Sequence, residues 1–262
     1  HILLDDYPTP IKPADWQDLE FAPVWSGNLA DFTKGKGTEK SPYIIENAEQ
    51  LYKMVLDGGK QTDGTPAYYK VSPDVKDIYL NNVQYGSLET LKSLVSSSLA
   101  KNWTKDFKAS ENKVDLDGDG IMDEKGAFVG VFDGNGVTIH GLYSTNKGVD
   151  STWGAWGVGF VPALKGNAVI KNVNFDKSYI ENTSTAHSGV ITCSFGFDNA
   201  TYLKDDAGNV LAKGSGETTN ATIASVTVRN TYMPANEGWD DATASKAGFI
   251  GAHGGPQKVT FI

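Results

Sequence analysis

Four stretches of the chain share one short pattern: an apolar residue, two further residues and a second apolar residue. They read VTIHGLY (137–143), AVIKNVNF (168–175), ATIASVTV (221–228) and KVTFI (258–262). The apolar pairs are Ile139 and Leu142, Ile170 and Val173, Ile223 and Val226, and Val259 and Ile262. A strand-bearing unit that cannot bury its own apolar face must stack on its neighbours, and irregular insertions then become loops. The repeat therefore predicts a stacked β-solenoid.

The spacing within each pair predicts a bend. Residues three apart in a regular strand point to opposite faces, so Ile170 and Val173 both point inward only if the chain turns between them. Asn172 occupies that gap, and Gly141 and Ser225 occupy the same place in neighbouring copies. Parallel connections are overwhelmingly right-handed. The predicted fold is all-β, a right-handed parallel β-helix with short N-terminal capping helices and long loop insertions. The expected inward-facing column is Ile139, Ile170, Ile223 and Val259.

Local signals predict further elements before the repeats. Asn47 can cap a helix, with Gln50 three residues later as in a capping box, and Gly58 follows as a stop. Pro73 divides residues 67–80 into two short strands. Residues 87–99 predict a second helix, because their apolar side chains recur at helical spacing. Those side chains are Leu88, Leu91, Leu94, Val95 and Leu99.

These signals divide the chain into two regions. Residues 1–66 are expected to form a lead-in and capping segment, and residues 67–262 a β-helix with insertions. The sequence starts at His1 and stops at Ile262 inside a repeat. We therefore expect it to be part of a longer polypeptide in which the helix continues.

Composition excludes several classes of partner. The chain has 23 basic and 32 acidic residues and a net charge of -9. Nucleic-acid binding depends on clustered Lys and Arg, so no nucleic-acid partner is expected. No apolar run approaches the roughly 18 residues of a membrane span, so no membrane insertion is expected. Cys193 is the only cysteine, and we expect it to be a buried small hydrophobic residue.

Four segments resemble a known family. They read GKGTEKSPYIIENAEQLYKM (35–54), FVGVFDGNGVTIHGLYS (128–144), VGFVPALKGNAVIKNVNFDKSYI (158–180) and AGFIGAHGGPQKVTFI (247–262). The first resembles the opening segment of GLUG-type repeat proteins, and the others resemble their repeats. That family consists mainly of bacterial surface proteins and adhesin-like repeats, and similar segments occur in phage virion proteins. The resemblance implies a β-helix that serves as a display rod.

The acidic segment DLDGDGIMDE (115–124) is typical of a calcium loop. Such loops place hard oxygen ligands at positions one, three, five, seven and nine. Those positions hold Asp115, Asp117, Asp119, Ile121 with its carbonyl, and Asp123. Gly126 stands at position twelve, where a bidentate Glu is usual, so another carboxylate has to complete the shell. We expect a structural Ca²⁺, and a solvated acidic turn is the alternative.

Other polar residues give weaker signals. Asp133 in DGNG (133–136) is interpreted as a turn residue, because glycoside hydrolysis needs two facing carboxylates and the next repeat supplies none. His140, His187 and His253 have no Glu or Cys at ligand spacing. We expect these histidines on the surface or in loops.

Three tryptophans are candidate ligand-binding residues. Trp153 and Trp156 lie in the Gly-rich stretch DSTWGAWGVGF, and Trp239 lies in NEGWDD. Flat aromatic rings beside acids and amides build shallow carbohydrate sites. The alternative is that these tryptophans pack against the flank of the fold.

Together these features favour a non-enzymatic structural or adhesive segment of a cell-surface or virion fibre protein that binds through exposed loops. Its expected partners are a glycan or protein receptor and other fibre subunits, and its expected location is extracellular, on the cell surface or on the virion. The alternative is a carbohydrate-active β-helix enzyme, a polysaccharide lyase or hydrolase. No catalytic residue is assigned, because the sequence offers no ladder of carboxylates.

Overall fold

The fold is described from a computed structural model. The residues it describes are 22–107, 113–114, 123–124, 127–145, 158–182, 188–195, 203–204, 210–212, 220–234, 246–247, 250–253 and 258–262. Among these residues, no helix has the length and apolar character needed to cross a membrane.

Two helices and eighteen strands make up the described part of the chain. The first elements are β1 (Tyr43–Ile45), α1 (Ala48–Leu56), β2 (Tyr68–Val71), β3 (Asp77–Tyr79) and α2 (Leu88–Ser96). The next are β4 (Lys113–Val114), β5 (Asp123–Glu124), β6 (Ala127–Phe128), β7 (Val131–His140), β8 (Tyr143–Thr145), β9 (Val161–Leu164) and β10 (Val169–Glu181). The last are β11 (Ser188–Gly189), β12 (Thr192–Phe195), β13 (Leu203–Lys204), β14 (Val210–Ala212), β15 (Asn220–Tyr232), β16 (Lys246–Ala247), β17 (Ile250–His253) and β18 (Lys258–Phe261).

The main sheet has eight strands. Along its path the order is β1, β2, β7, β10, β15 and β18, while β3 also pairs with β7 and β8 with β10. All of these pairs are parallel. A second parallel sheet has the order β17, β12, β9 and β6. The remaining pairs are β11 with β16, which is parallel, and β4 with β5 and β13 with β14, which are antiparallel.

The prediction of an all-β right-handed parallel β-helix is wrong. In the described residues the large parallel sheet is not closed and is accompanied by helices, which is an α/β-like arrangement with no solenoid. Helix α1 belongs to the core, because Leu51 and Met54 are fully buried. In-register apolar ladders form wherever parallel strands pair, so the repeat could not distinguish an open sheet from a β-helix. Closure depends on the connecting segments, which lie outside the repeated stretches.

The predicted apolar column is also wrong in two of its four members. Ile170 does lie opposite Ile223. However, Ile139 lies opposite Phe175, and Val259 lies opposite Ala221. The observed column is Phe132, Ile170, Ile223 and Phe261. Facing residues of β7 and β10 are 38 positions apart at Phe132 and Ile170 and 36 positions apart at Ile139 and Phe175. The similar sequences of the two strands are therefore not in register, because a pairing of Ile139 with Ile170 would need an offset of 31.

The predicted bend inside β10 is confirmed. Ile170 and Val173 are both fully buried, and Asn172 between them has φ 55°. Ser225 has φ 51° at the equivalent place in β15. This left-handed conformation is one that Asn tolerates better than most residues. Gly141 instead belongs to a second bend.

The second bend lies at the end of β7 and crosses three strands. Gly141, Lys177 and Asn230 have φ 71°, 57° and 51°. Each of them directly follows one member of the aligned set His140, Asp176 and Arg229. The sheet therefore turns along a line, with the aligned set His140, Asp176 and Arg229 directly before it.

Helix α1 and the break at Pro73 agree with the local sequence signals. The Asn47 side chain accepts the N–H of Gln50 at 2.9 Å, as the cap predicts. The Gln50 side chain accepts the N–H of Glu46 at 2.7 Å, one residue earlier than in a standard capping box. The two strands predicted around Pro73 are β2 and β3.

Helix α2 is shorter than predicted. It begins after its cap, Ser87, and ends at Ser96, and Ser98 then adopts φ 62°. Leu91 is the helix's one buried residue, and Leu99 lies beyond the end of the helix with 71% of its surface exposed. The apolar side of α2 is therefore only partly covered by described residues.

Aromatic side chains join the N-terminal segment to both sheets. Trp25 packs against Tyr52 at 4.6 Å and Trp103 at 5.1 Å between ring centroids. Trp103 stacks on Phe160 at 5.9 Å, and Phe160 contacts Phe175 of β10 at 5.1 Å. All five rings are fully buried, so Trp25 ties the N-terminal segment to the core.

Candidate functional site

The residues predicted as sites lie almost entirely outside the described part of the chain. Those outside it are Asp115, Asp117, Asp119, Ile121, Trp153, Trp156 and Trp239. His187, expected on the surface or in a loop, also lies outside the described residues. Asp123 lies in β5, and its backbone pairs with Val114 of β4. The other predicted calcium ligands lie outside the described residues, so the calcium site stays a prediction. Among the described residues, no group of three or more His, Cys, Asp or Glu side chains could hold a metal ion.

The described backbone also includes Cys193 in β12 and His253 in β17. Their side chains are not described. The predictions made for these two residues therefore stay predictions.

The turn predicted at Asp133 is confirmed. Its Oδ1 accepts the N–H of Asn135 at 2.9 Å and the side-chain Nδ2–H of Asn172 at 2.9 Å. Asn135 has φ 52°. The carboxylate of Asp133 thus links the turn of β7 to the bend of β10, which is a structural use of this residue.

His140 is not a surface histidine, so that prediction is wrong. Only 8% of its surface is exposed. Its Nε2 lies 2.8 Å from Oδ1 of Asp77, and its Nδ1 lies 3.3 Å from Oδ2 of Asp176, without hydrogen-bond alignment. The Tyr79 ring stacks on the imidazole at 4.6 Å with an interplanar angle of 10°. The imidazole is thus held between two carboxylates and under one ring.

Strand register assembles this cluster from distant parts of the sequence. Tyr79 of β3 lies opposite His140 of β7, and His140 lies opposite Asp176 of β10. Asp176 lies opposite Arg229 of β15. Side chains at facing positions of parallel strands share one face of the sheet. One residue from each of four strands therefore forms a polar line across the sheet.

Asp176 is the centre of that line. Asn230 donates its Nδ2–H to Oδ1 at 2.7 Å, and Nε of Arg229 lies 3.2 Å from the same oxygen. Nζ of Lys177 lies 3.7 Å from Oδ2. Burial of the carboxyl acts to raise its pKa, but the hydrogen bond from Asn230 and the charges of Arg229, Lys177 and His140 together hold that pKa below its usual value. Asp176 is therefore an ionised structural anion at neutral pH.

A row of tyrosines follows the polar line on the far side of the second bend. Tyr143, Tyr179 and Tyr232 occupy facing positions on β8, β10 and β15, and we call them the tyrosine row. Their ring centroids are 5.6 and 5.2 Å apart, and the interplanar angles are 81° and 58°. Tyr143 and Tyr179 are half-buried, while Tyr232 is 37% exposed. The rings therefore follow one another at steps close to the strand spacing of about 4.8 Å.

The phenols of Tyr143 and Tyr179 keep their protons at neutral pH. Burial, the charge of Glu181 and the neighbouring Tyr179 raise the pKa of Tyr143 to about 12. Burial and Glu181 also raise the pKa of Tyr179. Each hydroxyl can consequently donate one hydrogen bond and accept others, which is the chemistry that recognises sugar hydroxyls and backbone amides.

The charges along the row are asymmetric. Glu181 lies at the Tyr143 end, where its Oε2 accepts the hydroxyl hydrogen of Thr145 at 3.1 Å. At the other end, Nζ of Lys92 in α2 lies 4.3 Å from the ring centroid of Tyr232. The same Nζ donates to Oε1 of Glu89 at 2.8 Å. The row therefore runs from an acidic end to an end that carries a cation over an aromatic face.

Sequence reasoning overlooked the polar line and the tyrosine row, although a signal for both is present. The texts HGLY (140–143), DKSY (176–179) and RNTY (229–232) each place a Tyr three residues after a polar residue. A bend lies between the two positions in every copy. A search for recurring Tyr positions, rather than apolar ones, finds the row.

Comparisons with known proteins find no relative of this chain. Neither a family model, nor a curated protein, nor a solved structure matches it. Functional inference therefore rests on the geometry of the described residues.

Proposed function

We propose that this chain is a non-enzymatic adhesive module of an extracellular protein, either on a cell surface or in a virion fibre, and that it binds a glycan or protein receptor. The observation that carries the proposal is the tyrosine row, with one accessible Tyr on each of three neighbouring parallel strands. Tyr gives contact area at low cost in side-chain entropy and adds a hydroxyl, so it suits shallow recognition surfaces.

The arrangement of the carboxylates supports binding rather than catalysis. A glycosidase needs two carboxyl groups on either side of a sugar bond. Asp77 and Asp176 do face each other, but the buried imidazole of His140 lies between them. The lowered pKa of Asp176 also makes it a poor proton donor. Within the described residues, this pair is better suited to holding β3, β7 and β10 together.

The net charge of -9 supports the choice of partner. An acidic chain is a poor ligand for the phosphate backbone of nucleic acids. A receptor recognised through hydroxyls and aromatic rings imposes no such requirement for positive charge.

Binding of the purified chain to an immobilised panel of oligosaccharides and glycoproteins tests the proposal. Tyr179→Ala, at the centre of the row, is expected to weaken binding at least about tenfold. Tyr179→Phe separates the role of the ring from that of the hydroxyl. Tyr68→Ala, at the start of β2 and outside the row, is the matched control and should bind like the unaltered chain. Melting curves of all variants show whether each one is folded.

Two results would overturn the proposal. Equal binding by folded Tyr179→Ala and the unaltered chain would show that the row is not the contact surface. Release of new reducing ends or unsaturated sugar products from a polysaccharide would show that the chain is an enzyme, a hydrolase or a lyase.

A further inference from the structure

Arg229 is the only arginine in the sequence, and all other basic residues among the 23 are lysines. It lies in β15 three residues before Tyr232, with the bend at Asn230 between them. Arg differs from Lys in presenting a planar fork of donors that matches a carboxylate with two parallel hydrogen bonds. A single Arg at the end of the tyrosine row therefore indicates a specific planar acceptor rather than general positive charge.

The guanidinium of Arg229 is fixed at one side and open at the other. Its Nε lies 3.2 Å from Oδ1 of Asp176, yet 57% of the side chain is exposed. Asp176 is itself held by Asn230 at 2.7 Å. Among the described residues, Asp176 is the one ion-pair partner of Arg229. Asp176 thus holds the guanidinium while more than half of the Arg229 side chain faces solvent.

The two ends of the row differ in the charge they offer to a ligand. Lys92 lies over the ring of Tyr232, although Glu89 partly neutralises it, and Arg229 precedes Tyr232 by three residues on the same strand. Glu181 lies near Tyr143 and Tyr179. An anionic group is therefore favoured at the Tyr232 end and disfavoured at the Tyr143 end. A linear ligand along the row would be bound in one direction.

From these contacts we infer that the tyrosine row binds a glycan that carries a sugar carboxylate, with Arg229 as the residue that binds the carboxylate. This inference rests on the proposed binding function. The adjoining sugar units lie along Tyr179 and Tyr143, where the protonated phenols exchange hydrogen bonds with sugar hydroxyls. The carboxylate lies at the Tyr232 end and receives two N–H donors from Arg229. Sialic acids and uronic acids share this chemistry.

Titration of the whole chain with four defined probes tests the inference. The acidic probes are 3′-sialyllactose and tetragalacturonate, and the neutral counterparts are lactose and fully methyl-esterified tetragalacturonate. We expect one acidic probe to bind at least about tenfold more tightly than its neutral counterpart, as a charge-assisted bidentate contact predicts. Preference for sialyllactose identifies a sialylated receptor, and preference for tetragalacturonate identifies a polyuronate.

Three variants assign the preference to one residue. Arg229→Gln is expected to reduce the affinity for the acidic probe to that for the neutral one. Arg229→Lys keeps the charge but loses the fork, so it should retain only a part of the preference. Lys171→Gln is the matched control, because Lys171 is a half-exposed cation of the same sheet that lies 3.8 Å from Asp133. Melting curves again verify that each variant is folded.

The outcomes separate this inference from the proposed function. If neutral and acidic probes bind equally and Tyr179→Ala abolishes both, the binding function stands and the carboxylate inference is wrong. The inference is also wrong if folded Arg229→Gln keeps its preference for the acidic probe. If none of the four oligosaccharides binds, the carboxylate inference is wrong, whereas the proposed binding function is overturned only if no glycoprotein of the panel binds either.

Discussion

The Nδ1 atom of His140 lies 3.3 Å from Oδ2 of Asp176, across the register of two neighbouring parallel strands. Both groups are nearly inaccessible to solvent, with 10% and 7% of their side-chain surfaces exposed. Burial of a charge costs free energy unless partners compensate for it. Here Asn230, Arg229 and Lys177 supply that compensation from the next strand and the bend. The cluster therefore couples the stability of the sheet to pH.

Asp176→Asn is expected to lower the free energy of unfolding at pH 7 by about 1–3 kcal/mol, because it removes a charged acceptor that faces Arg229 and Lys177 and accepts the hydrogen bond of Asn230. The folded pKa of Asp176 is depressed, so its contribution is complete above the unfolded value of about 3.9 and is lost as pH falls through the lower folded value. Urea unfolding is measured from pH 7 to pH 2. The difference in free energy of unfolding between Asp176→Asn and the unaltered chain should become smaller below about pH 4.

The control for that series is Asp31→Asn. The Asp31 side chain is 94% exposed and 3.7 Å from Lys53, so its loss should change stability by less than about 0.5 kcal/mol at every pH. The assigned role of the Asp176 carboxylate is contradicted if the difference in free energy of unfolding between Asp176→Asn and the unaltered chain stays constant from pH 7 to pH 2.

A pair of glycines tests the packing of the N-terminal segment on the sheet. Gly59 and Gly64 have φ 69° and 83°, so Ala at either position is strained. A Cβ on Gly59 would meet the amide nitrogen of Gly130 at 2.6 Å, whereas a Cβ on Gly64 would meet nothing within 4 Å. Gly59→Ala should therefore destabilise the chain by clearly more than the roughly 1 kcal/mol of the conformational term alone. Similar melting temperatures for the two variants would show that this contact does not close tightly.

Local elements were predictable because their signals lie within a few residues. The cap at Asn47, the break at Pro73 and the bend at Asn172 each depend on one side chain and its immediate neighbours. The fold class was not predictable in the same way. The same apolar ladder fits an open sheet and a β-helix. The register between neighbouring strands depends on how many residues each bend contains.

The candidate site likewise contains one feature that the sequence could not have indicated and one that it could. Asp77 lies 63 positions from its partner His140, and nothing local to either residue indicates the contact. The tyrosine row is different, because its members recur at a fixed offset from the bend in all three strands. It could have been found from the sequence if polar and aromatic positions had been aligned together with the apolar ones.

Two valines that face each other in the sheet measure how far the core extends. Val173 of β10 lies opposite Val226 of β15. Val173 is fully buried, whereas Val226 is only partly buried. Val173→Ala should cost about 2 kcal/mol or more through lost burial and a cavity, and Val226→Ala less than about 1 kcal/mol. Chemical denaturation compares them directly, and equal losses would show that Val226 is covered as completely as Val173.

Calcium is expected to stabilise the segment between β4 and β5. The antiparallel contact of Val114 with Asp123 joins the ends of that segment, and the predicted ligands Asp117 and Asp119 lie between them in the sequence. A ligand that binds only the folded state raises stability by mass action. EDTA should therefore lower the melting temperature, and added Ca²⁺ should restore it better than Mg²⁺, whose smaller ion demands a stricter octahedral geometry. Asp117→Asn should melt at the same temperature with and without EDTA, since it lacks one anionic ligand. An unaltered chain whose melting temperature does not respond to EDTA has no structural calcium site, and the acidic segment is then a solvated turn.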